Sequence, residues 1–157
     1  MPDPQMPDPQ IAVQKFFDSP FKFAMARKLR DLGPQVCPYL EQALNERTQD
    51  TATLRQCAAI LLHFGIPAGA DYLLEDLATA GDAPFSALQL ANAGIAEARE
   101  PIASLLAGDL MRTLPNEAFV LVDAHRKLAS IPDDLKRHLL DLCPEKLGAD
   151  LVKSLNS

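Results

Sequence analysis

One eight-residue frame, Ala-x-x-Leu-x-x-x-Gly, appears three times: at Ala26, Leu29 and Gly33; at Ala58, Leu61 and Gly65; and at Ala87, Leu90 and Gly94. The glycines lie 32 and then 29 residues apart. An aliphatic pair spaced by four follows each: Leu40 and Leu44, Leu73 and Leu77, Ile102 and Leu106. From glycine to the first of the pair is 7, 8 and 8 residues, so the two halves of the unit move together. Spacings of three and four put apolar residues on one helix face, and glycine takes the left-handed conformation that ends a helix. Each unit therefore reads as two amphipathic helices folded back as a hairpin. Hairpins recurring at about 30 residues mark an array whose neighbours bury one another's apolar faces.

The central unit, Leu54 to Leu77, is the fullest copy. Leu54, Cys57, Ala58, Leu61, Leu62 and Phe64 lie mostly on one side of its first helix. Pro67 fits the first turn of the second, where its missing N–H costs nothing. The run Leu54-Arg55-Gln56-Cys57-Ala58-Ala59, then Leu61 to Gly65, then a helix ending in Leu73 to Leu77, resembles the HEAT-like helical repeats. The resemblance covers roughly residues 20–108 and carries no catalytic motif. Arg55 stands where family members often have an arginine. Phe23-Ala24 and Phe85-Ser86 occupy that place in the other units, so no aspartate–arginine ladder is expected. The resemblance implies an all-α fold, a short right-handed α-α superhelix of three to four hairpins, whose second helices line the concave surface.

Residues 1–10, MPDPQMPDPQ, are a tandem copy with four prolines and are expected to be an extended or disordered tail. The remainder, 11–157, reads as a single repeat domain. Ile11 to Phe17 makes a lead-in helix, and Asp18-Ser19-Pro20 reads as the cap and first-turn proline of the next. Past Gly108 the register is lost. Helices are expected there at 115–129, 132–142 and 145–155, a divergent capping hairpin within 109–157. Alanine and leucine dominate and only 6% of residues are aromatic, which favours helix over sheet.

A net charge of −6 argues against a phosphate-backbone partner, which needs clustered Lys and Arg. The nearest approach to a basic patch is Lys22, Arg27, Lys28 and Arg30. Three cysteines, Cys37, Cys57 and Cys143, show no C-x-x-C spacing, and no run approaches a membrane span, so a cytoplasmic location is expected. No histidine lies four residues from another or from a cysteine. No catalytic residue, metal ligand or cofactor site is expected.

The aliphatic pairs turn inward, leaving their neighbours outward on the second helices. Those are Glu41, Gln42, Asn45 and Glu46, then Asp71, Glu75, Asp76 and Thr79. This acidic face is expected to hold another protein with a basic surface. An immunity-type inhibitor, an adaptor or a secretion chaperone fits such a surface, with homo-oligomerisation also open. The alternative class is a HEAT-like enzyme or accessory subunit of lyase or glycosylase type, which needs a deep pocket with convergent titratable groups.

Overall fold

Gly33, Gly65 and Gly94 all adopt positive φ, at 98°, 74° and 73°. The recurring frame is thus a recurring backbone corner. At Gly65 and Gly94 the glycine N–H donates to Leu62 and Ala91, both at 3.0 Å. The following isoleucine N–H reaches back at 2.9 Å to the carbonyl of the repeat leucine, Leu61 or Leu90. This paired closure satisfies carbonyls that the helix end would otherwise orphan. Gly33 precedes Pro34, which has no N–H, so its corner lacks the second bond.

The computed structural model describes residues 8–79 and 81–156. Among them the chain is all-α, without a strand. The helices are α1 (Pro9–Asp18), α2 (Lys22–Leu32), α3 (Cys37–Glu46), α4 (Thr51–His63), α5 (Pro67–Ala78) and α6 (Ala83–Asn92). They continue with α7 (Arg99–Leu106), α8 (Leu110–Thr113), α9 (Pro115–Leu128), α10 (Asp133–Leu142) and α11 (Gly148–Asn156). Contacts group the chain into two compact units, Met1–Leu73 and Leu74–Ser157; the sequence reading takes 11–157 as one domain. In the first unit α4 packs against both α2 and α3. In the second, α9 packs against both α6 and α7.

Burial follows the repeat register. Ala26, Ala58 and Ala87 are buried, as are Leu29, Leu61 and Leu90. So are all six residues of the aliphatic pairs. Four residues before each pair stand Val36, Gly69 and Ala98, again all buried. A Cβ on Gly69 would lie 2.4 Å from the Ala58 carbonyl oxygen and 2.6 Å from the Leu62 nitrogen. Here α5 meets α4 backbone to backbone, and only glycine leaves room.

The register also continues beyond Gly108, contrary to the sequence reading. Ala118 and Leu121 on α9 repeat the Ala-x-x-Leu spacing and are fully buried. Ile131, Leu135 and Leu139 repeat the four-residue stripe of the second helix and are buried too. At the glycine's place stands His125, and α9 runs on to Leu128 before turning. The short α8 that precedes this hairpin is not foreseen in the sequence.

Two expectations near the N-terminus change. Asp8 caps α1, its carboxylate accepting from the Gln10 amide at 2.8 Å, with Pro9 in the first turn. Residues 8–10 therefore start a helix instead of finishing a tail, while residues 1–7 lie outside the described residues. Asp18-Ser19-Pro20 does not cap α2. Ser19 Oγ accepts from the Phe21 amide at 3.0 Å, and α2 begins at Lys22 without a side-chain cap. Lys22 turns back instead, its Nζ donating to the carbonyls of Phe16, at 2.8 Å, and Phe17. It closes the C-terminus of α1 and leaves the basic patch to Arg27, Lys28 and Arg30.

Candidate functional site

The second-helix face begins on α3, where Leu40, Ala43 and Leu44 turn into the core. That leaves Gln42, Asn45 and Glu46 exposed, with Glu41 half-buried. Gln42 donates to Glu46 at 3.3 Å, one turn on. Across from it on α1, Gln14 donates in the same way to Asp18 at 3.1 Å. Between these two helices runs an open cleft of about 310 Å³. Val13, Phe17, Tyr39 and Ala43 supply its apolar lining, and Gln10, Gln14, Gln42, Glu46 and Gln49 its polar one. A glutamine amide both donates and accepts, so this rim suits a peptide-like partner. Glu46, and Asp18 beside the rim, give the cleft a negative sign.

The remaining expected residues divide. Asp71 is exposed on α5 within the first unit. Next to it in sequence, buried Tyr72 carries the Arg47 guanidinium 4.8 Å from its ring centre. Arg47 is thus a cation at the end of α3, next in sequence to Glu46 of the acidic face. It sits at positive φ, 54°, closing α3 in the left-handed conformation.

Glu75 and Thr79, in the second unit, are exposed. The Thr79 hydroxyl donates back to the Glu75 carbonyl at 3.0 Å, finishing α5. Asp76 is not outward at all. It is buried, accepting a hydrogen bond from Ser86 Oγ at 2.7 Å and another from the Asp82 amide at 3.1 Å. Its carboxylate ties the end of α5 to the start of α6 and is removed from the candidate surface. The signal was available in the repeat: the aligned residues are Ala43 and Leu105, both apolar.

The residues that sequence reasoning missed are Gln10, Gln14, Phe17, Tyr39 and Gln49. They reach the cleft because α1 lies along α3, a contact made far apart in sequence.

The nucleophile candidates are quiet. Burial pushes the Cys57 thiol up to about 12, and burial with nearby Glu41 raises Cys37. A thiol held protonated is a poor nucleophile. Burial also lowers the pKa of His125, whose Nδ1 lies 3.2 Å from the Ala129 carbonyl oxygen. His63 is exposed, edge-on to Phe64 at 4.9 Å. Among the described residues no three of His, Cys, Asp and Glu gather as a metal cluster.

Comparisons with protein-family models, curated proteins and solved structures found no significant match.

Proposed function

We propose that this chain is a non-catalytic protein-binding module, a short HEAT-like superhelix that holds a partner along its second-helix face. The observation that carries the reading is the α1–α3 cleft. It is open and apolar at its base, and amide-rich and acidic at its rim, and it is built partly from the expected docking residues Gln42 and Glu46. Such a cleft offers side-chain pockets together with hydrogen-bonding groups for a segment of another protein. The superhelix is supported by the way α4 meets both helices of the preceding hairpin and α9 does the same. Its support also includes the fourth hairpin, which extends the register to α10. The partner surface is basic, and the docking set within the Met1–Leu73 unit is Glu41, Gln42, Asn45, Glu46 and Asp71; Glu75 and Thr79 belong to the other unit, and Asp76 is buried. Among the described residues no helix is long and apolar enough to cross a membrane, which accords with action in the cytoplasm as an inhibitor, adaptor or chaperone.

The test is affinity purification from the native cell with the wild-type chain and with Gln42→Lys/Glu46→Lys. The reading expects one stoichiometric partner that the double variant no longer retains, at unchanged helical content by circular dichroism. Equal recovery by both would remove this face as the docking surface.

A further inference from the structure

Among the described residues the two most exposed large apolar side chains are Phe21 and Phe23, at 72% and 74%. Phenylalanine is ordinarily among the most buried residue types, and here two stand on one corner, between α1 and α2. The corner is tied down from within. Lys22, between the two rings, turns back to donate to the carbonyls of Phe16 and Phe17. The Ser19 hydroxyl accepts from the Phe21 amide. The rings are thus presented on a braced backbone, which lowers the ordering cost of docking them. One turn beyond Phe23 on α2 come Arg27 and Lys28, both exposed, and then half-buried Arg30. Asp31 is the only acid of the helix. Aromatic rings together with arginine are what the centres of protein interfaces favour.

The same unit, Met1–Leu73, carries a surface of the opposite character. The α1–α3 cleft has Val13, Phe17, Tyr39 and Ala43 as its apolar lining and Glu46 at its rim, and among the described residues no lysine or arginine lines it. Neither Phe21 nor Phe23 is among its lining residues, so the corner of a chain does not fill that chain's own cleft. One surface is basic and aromatic, the other acidic and apolar, and opposite signs favour their encounter. Corner against corner, or cleft against cleft, would instead bring like charges together.

We propose that the Phe21–Phe23 corner of one copy of this chain docks in the α1–α3 cleft of a second copy. The rings meet the apolar lining, and Arg27 and Lys28 meet the acidic rim. This rests on the reading of that cleft as a docking surface, and it names a second copy as an occupant. The contact joins two different patches, so it is head-to-tail. Each copy added leaves one corner and one cleft unused, and assembly runs on past the dimer until a ring closes.

Sedimentation velocity of the full chain from about 5 to about 500 µM tests this, a range that covers micromolar association. The expected result is a sedimentation coefficient that rises with concentration, and rises less at about 1 M salt, where charge attraction is screened. Phe21→Ser/Phe23→Ser removes the corner, and Gln42→Lys/Glu46→Lys the cleft. Each variant alone should need at least about tenfold higher concentration to associate, since one buried ring or one reversed charge pair is worth that much in Kd. Mixed in equal amounts, the two should form a dimer that grows no further, because the first keeps its cleft and the second its corner. A wild-type chain that stays monomeric throughout would overturn the proposal, as would variants that associate like the wild type or a mixture that does not pair. Should Phe21→Ser/Phe23→Ser fail to fold by circular dichroism, Arg27→Glu/Lys28→Glu takes its place in the mixture. A monomeric wild type whose purified partner is still lost with Gln42→Lys/Glu46→Lys would overturn self-docking alone and leave the cleft as a docking surface for another protein.

Discussion

Replacing Gly69 with alanine tests the backbone contact between α4 and α5. The new Cβ would lie 2.4 Å from the Ala58 oxygen, 2.6 Å from the Leu62 nitrogen and 3.0 Å from the Leu61 Cβ. Two of these obstacles are main-chain atoms of α4, which cannot rotate aside. Ordinary contact begins near 3.4 Å, so α5 must retreat by about 1 Å, and a gap of that size forfeits a quarter to a half of each dispersion contact it opens. Overpacking of this kind costs about 1–3 kcal/mol, and more when backbone must move. Alanine's better helix propensity returns up to about 1 kcal/mol. The net expectation is a loss of about 2 kcal/mol, or about 4–8 °C in Tm for a chain of this length. Urea unfolding followed by circular dichroism at an unchanged m-value is the assay. Gly148→Ala is the control: nothing lies within 4 Å of its Cβ position, and its φ of −58° suits alanine. It should be neutral or stabilise by up to about 1 kcal/mol. Gly69→Ala as stable as Gly148→Ala would refute the close approach.

Three more outcomes follow from single contacts. Asp76→Ala strands the fully buried Ser86 hydroxyl and should cost about 1–3 kcal/mol in chemical denaturation, whereas Glu75→Ala next to it should stay within about 0.5 kcal/mol; equal effects would put Asp76 back on the surface. Because burial depresses His125 below its ordinary 6.5, the unfolded chain takes up that proton first. Stability should be full above pH 6.5 and fall as pH drops through it, with a shallower slope in His125→Asn melts; an unchanged slope would show that His125 is not the group responsible. Asp8→Ala removes the α1 cap and should cost about 1 kcal/mol, whereas Asp8→Asn should keep most of it; equal melts for Asp8→Ala and the wild type would deny the cap its role.

The corners and the core stripe were readable in advance because each rests on one residue type with one physical use. Glycine marks a positive φ, and leucines spaced by three and four mark a buried helix face. The fourth hairpin was hidden because His125 replaces the glycine and α9 runs a further turn, so the same stripe arrives late. Asp76 reads as exposed when judged by its carboxylate alone, although the aligned Ala43 and Leu105 mark the position as apolar. Here the Ser86 hydroxyl and the Asp82 amide hold it inside, and neither is visible without the fold. The α1–α3 cleft depends on which helices lie side by side, so its glutamines carried no local signal.

The claim on which the rest stands is that α4 seats against both α2 and α3, and α9 against both α6 and α7. A methyl–methyl nuclear Overhauser spectrum of the labelled chain tests it directly. Cross-peaks are predicted from Leu54, Ile60 and Leu61 on α4 to methyls of both α2 and α3, and from Leu121 and Val122 on α9 to methyls of both α6 and α7. Cross-peaks from α4 or α9 to only one helix of the preceding pair would contradict it.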